Sequence, residues 1–302
     1  GKDKVAVCGY HGWHDWYLAA NLGDNDKLEG HLLPGLEPMG VPKSLKDTIL
    51  TFNYNDFEGL EKLVDAYNIG VIKMEVSRSF TPKHNFLQKV RNLAASKNIV
   101  LIFDECTSGF RQTFGGLHKM YKVEPDMAIF SKALGNGYAI SAVIGKREIM
   151  EAAQKTFISS TFWTERIGPT AALKTLEVME SLHSWEIITD KGMLISKMWK
   201  ELAEQHNLSI NISGLPALIS FSFNCKNNFA YKTYITQEML KSGFLASNVV
   251  YVSIAHSEEI LNKYLNELDK VFKIIVKCEK NELNIRDLLD GPICHSGFKR
   301  LN

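Results

Sequence analysis

Two apolar runs of this sequence end on residues that do acid–base or carbonyl chemistry. AIFSKALGNGYAISAVIG (128–145) carries Lys132 just after its apolar start, and IVLIFDE (99–105) closes on Asp104 and Glu105. Lysine is among the residues least often fully buried. A lysine at the mouth of a strand, with a turn of small residues beside it, points to a task for its amine. Two further runs end comparably: KVAVCGY (4–10) leads into Tyr10-His11-Gly12, and GVIKMEV (70–76) ends near Glu75. Open α/β sheets bind ligands at the carboxyl ends of their strands. An aromatic ring, carboxylates from two strands and an amine therefore meet on one rim if these strands are neighbours.

The runs at 4–10, 70–76, 99–105, 126–132 and 140–145 are continuous rather than alternating, as in strands covered on both faces. Amphipathic helical stretches at 55–67, 82–97 and 146–155 separate several of them. DFEGLEKLVDAY, for example, sets Phe57, Leu60, Leu63 and Val64 on one face. Strand–helix alternation predicts a mostly parallel α/β sheet. After FISSTFWTERIGP the pattern changes. Residues 168–206 read as long helix with a break near Trp185, strands follow near 209–213, 217–223 and 249–254, and helices near 229–243 and 257–279. The expectation is a large α/β domain over 1–180 and a smaller α+β domain over 181–302, with an aperiodic tail.

The chain has 302 residues, 45% hydrophobic and 23% charged, which suits a globular fold. A net charge of +1 supplies no basic surface for nucleic acid and no charge block for a membrane. The five cysteines are scattered without a C-x-x-C pair, which fits reduced thiols in a cytoplasmic setting. No apolar run approaches the roughly 20 residues a spanning helix needs.

One cofactor requires the rim set. Pyridoxal phosphate forms a Schiff base with a lysine amine and needs a carboxylate at its pyridine nitrogen to hold the ring protonated. The separation of Asp104 and Lys132 leaves room for one crossover between neighbouring parallel strands. Tyr10 is suited to stack on a flat ring. Simpler roles exist for each residue: Asp104 as a helix N-cap, Tyr10 as core, Glu75 as a salt-bridge partner. His11, His14 and Asp15 lack a third ligand at metal spacing. Gly135 and Gly137 do not complete a dinucleotide G-x-G-x-x-G, because position 140 is Ile.

FDECTSGFR (103–111) followed by FSKALGNGYAISAVIGKREIM (130–150) resembles the class III pyridoxal-phosphate aminotransferases, with the nearest likeness to the glutamate-1-semialdehyde 2,1-aminomutase branch. The resemblance implies fold type I, with Lys132 as the Schiff-base lysine and Asp104 as the pyridine-nitrogen partner. GYHGWHD (9–15) is similar to the family's YHG segment, which implies that Tyr10 and His11 line the cofactor. KMEV puts Glu75 where the family has a glutamate followed by proline. Cys106 stands for a family valine that touches the ring. SSTFW (159–163) resembles the segment whose threonine reaches a cofactor phosphate across a homodimer interface, which implies that role for Thr161.

There are departures as well. Val76 replaces the proline after the glutamate, and TERIGP replaces GNP after the threonine. The family's phosphate loop lies upstream of YHG, where backbone N–H groups at a helix N-terminus hold the anion. The expectation is that this chain is the downstream part of a longer polypeptide. The implied function is amino-group transfer between small-molecule donors and acceptors, by a transaminase or an aminomutase. The alternative is a catalytically incompetent aminotransferase-fold chain acting as a scaffold or as half of a split enzyme.

Overall fold

A computed structural model describes residues 1–12, 14–22 and 38–295. Trp13 of the GYHGWHD segment and residues 296–302 of the aperiodic tail lie outside the described residues. The chain divides into two units, Gly1–His183 and a second beginning at Ser184.

The first unit holds a six-stranded sheet in the order β2-β1-β3-β4-β5-β6. The strands are β1 (Lys4–Cys8), β2 (Ile49–Thr51), β3 (Ile69–Glu75), β4 (Val100–Asp104), β5 (Met127–Phe130) and β6 (Ala142–Gly145). Around them run the helices α1 (Asp15–Leu18), α2 (Phe57–Ala66), α3 (Phe86–Ser96), α4 (His118–Tyr121), α5 (Arg147–Met150) and α6 (Ile167–Leu182). Strands β1 to β5 pair in parallel, and β6 runs antiparallel to β5. Helix α2 starts at Asp56, whose carboxylate accepts the Gly59 N–H at 2.9 Å and satisfies one of the free donors of the first turn.

Strand pairing sorts the residues by face. The register sets Val7 beside Lys73, Lys73 beside Ile102, and Glu75 beside Asp104, so these share one face. Val7 packs there with Tyr17, Ala19 and Ala20. The alternate residues Ile72, Met74, Leu101 and Phe103 are fully buried on the other face. Burial of each such side chain contributes about 1.5–3 kcal/mol.

The structure differs from the sequence reading in three places. Strand β2 is only three residues long, too short to show a period, yet Ile49 and Leu50 are buried. Strand β6 lies at the edge of the described sheet with Val143 and Ile144 exposed, rather than covered on both faces. Its direction follows from the connection Ser131–Ser141, because a parallel return needs a crossover of a dozen or more residues. The stretch 146–155 forms one α-turn and then a 3-10 helix rather than a single helix.

The second unit packs α7 (Ser184–Gln205), α8 (Asn228–Lys241) and α9 (Glu258–Glu279) with an antiparallel sheet of β7 (Ile210–Ser213), β8 (Leu218–Phe223) and β9 (Val249–Tyr251). Aromatic rings cluster within its otherwise aliphatic core. Trp199 meets Phe221 edge-to-face at 4.7 Å and donates its indole N–H to the Tyr264 hydroxyl at 3.0 Å, so the ring is buried without an orphaned donor. The break between α6 and α7 falls at His183, in the left-handed conformation at φ 50°, two residues before the Trp185 expected from sequence. No helix among the described residues is long and apolar enough to cross a membrane.

Candidate active site

The rim is assembled at the ends of β1, β3, β4 and β5. Beyond β1 the chain turns at Gly9, whose φ of 111° suits glycine. The Tyr17 hydroxyl holds this turn by donating to the Gly9 carbonyl at 2.9 Å. Tyr10 is half-buried, edge-on to Tyr17 at 6.0 Å, and donates its backbone N–H to Glu75 Oε2 at 3.0 Å. Glu75 thus ties the end of β1 to the end of β3.

Asp104 closes β4 with only 9% of its side chain exposed. Its Oδ2 meets His11 Nδ1 at 2.9 Å and Lys73 Nζ at 3.4 Å, while Oδ1 accepts the Cys106 N–H at 3.2 Å. Burial favours the neutral acid. The His11 hydrogen bond and charge, the Lys73 ammonium and the Cys106 N–H outweigh it and hold the carboxyl well below the usual carboxylate range. Asp104 is therefore an ionised, nearly dry carboxylate. His11 has a fully buried side chain, and its Nε2 has no hydrogen-bond partner among the described residues.

Lys132 follows Ser131 directly after β5. It takes φ 41°, the left-handed region, which costs a residue with a Cβ. Its ammonium is exposed and donates to Thr107 Oγ1 at 3.0 Å. The following loop is locked. Ser131 Oγ donates to the Ile140 carbonyl and Ser141 Oγ donates to Ser131 Oγ, both at 3.0 Å. Gly135 is required sterically, since a Cβ there would stand 2.1 Å from the Tyr138 carbonyl oxygen.

Cys106 links the two halves. Its thiol is pushed up to about 12, first by burial and then by the Asp104 carboxylate, with Lys132 and Lys73 pulling the other way. The thiol stays protonated at neutral pH beside both the acid and the amine. The structure thus brings Tyr10, His11, Glu75, Asp104 and Cys106 into one connected group, and Lys132 joins through Thr107 and Cys106. Thr161 lies in an exposed turn with Phe162 and Trp163. No hydrogen bond among the described residues connects it to the rim.

Two contributors, Lys73 and Thr107, were not singled out from sequence, and Glu105, named there only as a strand-end carboxylate, has a different task. Lys73 had one available signal, a lysine inside the apolar run GVIKMEV. Thr107 is the hydroxyl that receives Lys132. Glu105, fully buried, accepts from the His118 N–H at 3.0 Å, from His118 Nδ1 at 2.8 Å and from the Ser108 hydroxyl, and so anchors the turn carrying Cys106 and Thr107.

Parallel strands with their polar residues gathered at the carboxyl ends define an α/β ligand-binding fold. The sequence profile of the family described as Aminotransferase class-III matches residues 78–277, and the chain belongs to that family. The 3-aminobutyryl-CoA aminotransferase of Cloacimonas acidaminovorans is 33% identical over 275 residues, 86% of this chain and 62% of that protein. A glutamate-1-semialdehyde 2,1-aminomutase of Methanococcus maripaludis is 28% identical over 298 residues, 90% of this chain and 68% of that protein. The chain therefore spans about two thirds of the length of these relatives. The PLP internal aldimine form of the Sphingopyxis sp. MTA144 FumI protein superposes with a TM-score of 0.81 at 20% identity, covering 96% of this chain and 69% of that one. A transaminase with PLP bound superposes with a TM-score of 0.77 at 17% identity, covering 91% and 68%. The fold is that of the fold type I transaminases.

Proposed function

We propose that this chain carries the ring-binding half of a pyridoxal-phosphate site and serves amino-group transfer. The observation that carries the reading is the pairing of an ionised, nearly dry carboxylate with an exposed amine across adjacent parallel strands. Asp104 ends β4, and Lys132 follows β5. The donor set fits the cofactor's ring end. Oδ1 of Asp104 accepts one backbone N–H and retains a lone pair for an incoming N–H donor. Tyr10, half-buried, directly precedes His11, whose Nδ1 meets the same carboxylate at 2.9 Å.

When bound, pyridoxal phosphate supplies a carbonyl carbon for an amine and a ring that accepts electrons. The residues of the chain do the rest. Lys132 would offer the amine and would hold and move a proton at the substrate carbon. Thr107 orients that amine by accepting from it at 3.0 Å. Asp104, held ionised, would pair with the ring nitrogen. Glu75 and His11 fix the segment that carries Tyr10. The neutral Cys106 thiol adds no competing charge.

The domain reading assigns 1–180 to cofactor binding and 181–302 to a smaller α+β part. The reading includes a cytoplasmic homodimer in which Thr161 serves the partner's phosphate. The exposed Phe162 and Trp163 that follow Thr161 support a covered position for that turn. Small-molecule amino donors and acceptors are the substrates, and product analysis separates transfer to a second molecule from return to the same one.

The test is titration with pyridoxal phosphate, followed by borohydride reduction and peptide mapping. A visible absorbance band and a label on Lys132 are expected. A colourless, folded chain would favour a scaffold role, and a label on Lys119, Lys122 or Lys146 would refute the assignment. For the dimer, Thr161→Ala is expected to weaken cofactor affinity without changing the fold, and unchanged affinity would remove Thr161 from the site.

A further inference from the structure

Lys73 sits in the middle of β3 between Ile72 and Met74, both fully buried, and beside Val7 and Ile102 in the register. Only 14% of its side chain is exposed. A charge held in such a place needs a partner, because an unpaired buried ion is costly. The ammonium lies 3.4 Å from Asp104 Oδ2 and 5.8 Å from the centre of the Trp16 ring, whose face attracts a cation. Lys73 thus reaches the same carboxylate oxygen that meets His11 Nδ1 at 2.9 Å.

We propose that Lys73 is a positioning residue that tunes Asp104: by sharing Oδ2 with His11 it takes up part of the carboxylate's charge, leaves Oδ1 as the oxygen with room for a further donor, and would lower the basicity of a ring nitrogen held by that carboxylate. The inference rests on the amino-transfer reading for the identity of that ligand.

The groups around Asp104 agree with this assignment. Donors on Oδ2 come from two elements, the segment after β1 and the middle of β3, whereas Oδ1 has only the Cys106 N–H among the described residues. The remaining ionisable neighbours are Glu75, which accepts from Tyr10 N–H, the Cys106 thiol, and Lys132, which donates to Thr107. Among the described residues, Lys73 is the lysine that pairs with the carboxylate, at 3.4 Å. A cation that already shares an anion opposes a second cation on it, so the ring nitrogen gains less from Asp104 than it would from an Asp104–His11 pair alone. The electron-accepting power of the ring is moderated accordingly.

Two measurements test the proposal. The first is a double-mutant cycle with Lys73→Met, Asp104→Asn and the double variant, unfolded in urea at pH 7 without cofactor. K73M is expected to raise the unfolding equilibrium constant about tenfold or more when Asp104 is present and far less in the Asp104→Asn background. Lys73→Arg should restore the stability. Equal effects in both backgrounds overturn the proposal. So does a K73M chain that fails to fold in either background, since Lys73 would then serve packing on Trp16. Folding rescued by D104N supports it. The second measurement follows the ring nitrogen of 15N-labelled pyridoxal phosphate by NMR. In K73M its protonation midpoint should rise by about one pH unit or more, and Lys73→Arg should return it. An unmoved or lowered midpoint overturns the tuning. A wild-type chain that binds no pyridoxal phosphate defeats the amino-transfer reading, and the cycle still decides whether Lys73 and Asp104 act as a pair.

Discussion

Glu75 and Asp104 are register partners on the last rung between β3 and β4, two buried carboxylates side by side on one face of the sheet. Their neighbours divide the work. Glu75 accepts the Tyr10 N–H from the segment after β1, while Asp104 takes His11, Lys73 and the Cys106 N–H. Adjacent anions are tolerated here because each has its own donors. One carboxylate fixes the backbone of the rim, and the other has one oxygen whose partner among the described residues is a single N–H.

Asp104→Asn is expected to retain cofactor binding and lose about 100-fold or more of amino transfer, the scale of removing one electrostatic stabiliser from a reacting site. Single-turnover kinetics with an amino donor measure it. Near-normal turnover would mean that the carboxylate serves only the fold.

The same residue sets an acid sensitivity. The carboxyl of Asp104 is held well below its unfolded value, so its contribution to stability is present above about pH 4. That contribution is lost progressively as pH falls from there toward the folded value. Stability measured by urea unfolding should therefore decline below pH 4 more steeply in the wild type than in Asp104→Asn. Parallel curves would contradict the depressed carboxyl.

Glu105→Ala removes the acceptor for the His118 N–H, the His118 ring and the Ser108 hydroxyl in a fully buried place. A loss of about 3 kcal/mol or more is expected, since each stranded buried donor costs about 1–3 kcal/mol. Glu105→Gln keeps an acceptor and should lose less. Urea midpoints distinguish the two variants, and equal losses would show that the charge matters more than the hydrogen bonds.

Gly135→Ala tests the turn beside the lysine. The φ at Gly135 is −89°, which alanine accepts, so any effect comes from the Cβ placed 2.1 Å from the Tyr138 carbonyl oxygen. The backbone must move, at a cost of about 1–3 kcal/mol. Because Lys132 N-terminally flanks this turn, its amine should shift from Thr107, and the rate of borohydride-fixed labelling should fall together with the melting temperature. An unchanged melting temperature would show that the loop yields freely.

Much of this site is legible in the linear sequence because apolar runs and the residues that end them are local. The lysine after MAIF and the aspartate closing VLIFD declare themselves without reference to distant residues, and so do the amphipathic helices between the strands. What tertiary structure decided is which side chains meet. Register alone puts Lys73 on the face of Asp104 and Glu75, and the turn at Gly9 brings His11 to Asp104 across 93 positions of sequence. The inclusion of the short β2 is set by pairing with its neighbouring strand, which no period in that segment reveals. Charges separate in sequence become one electrostatic unit only when the sheet aligns its strand ends, because their interaction depends on a few ångströms of distance and on the exclusion of water.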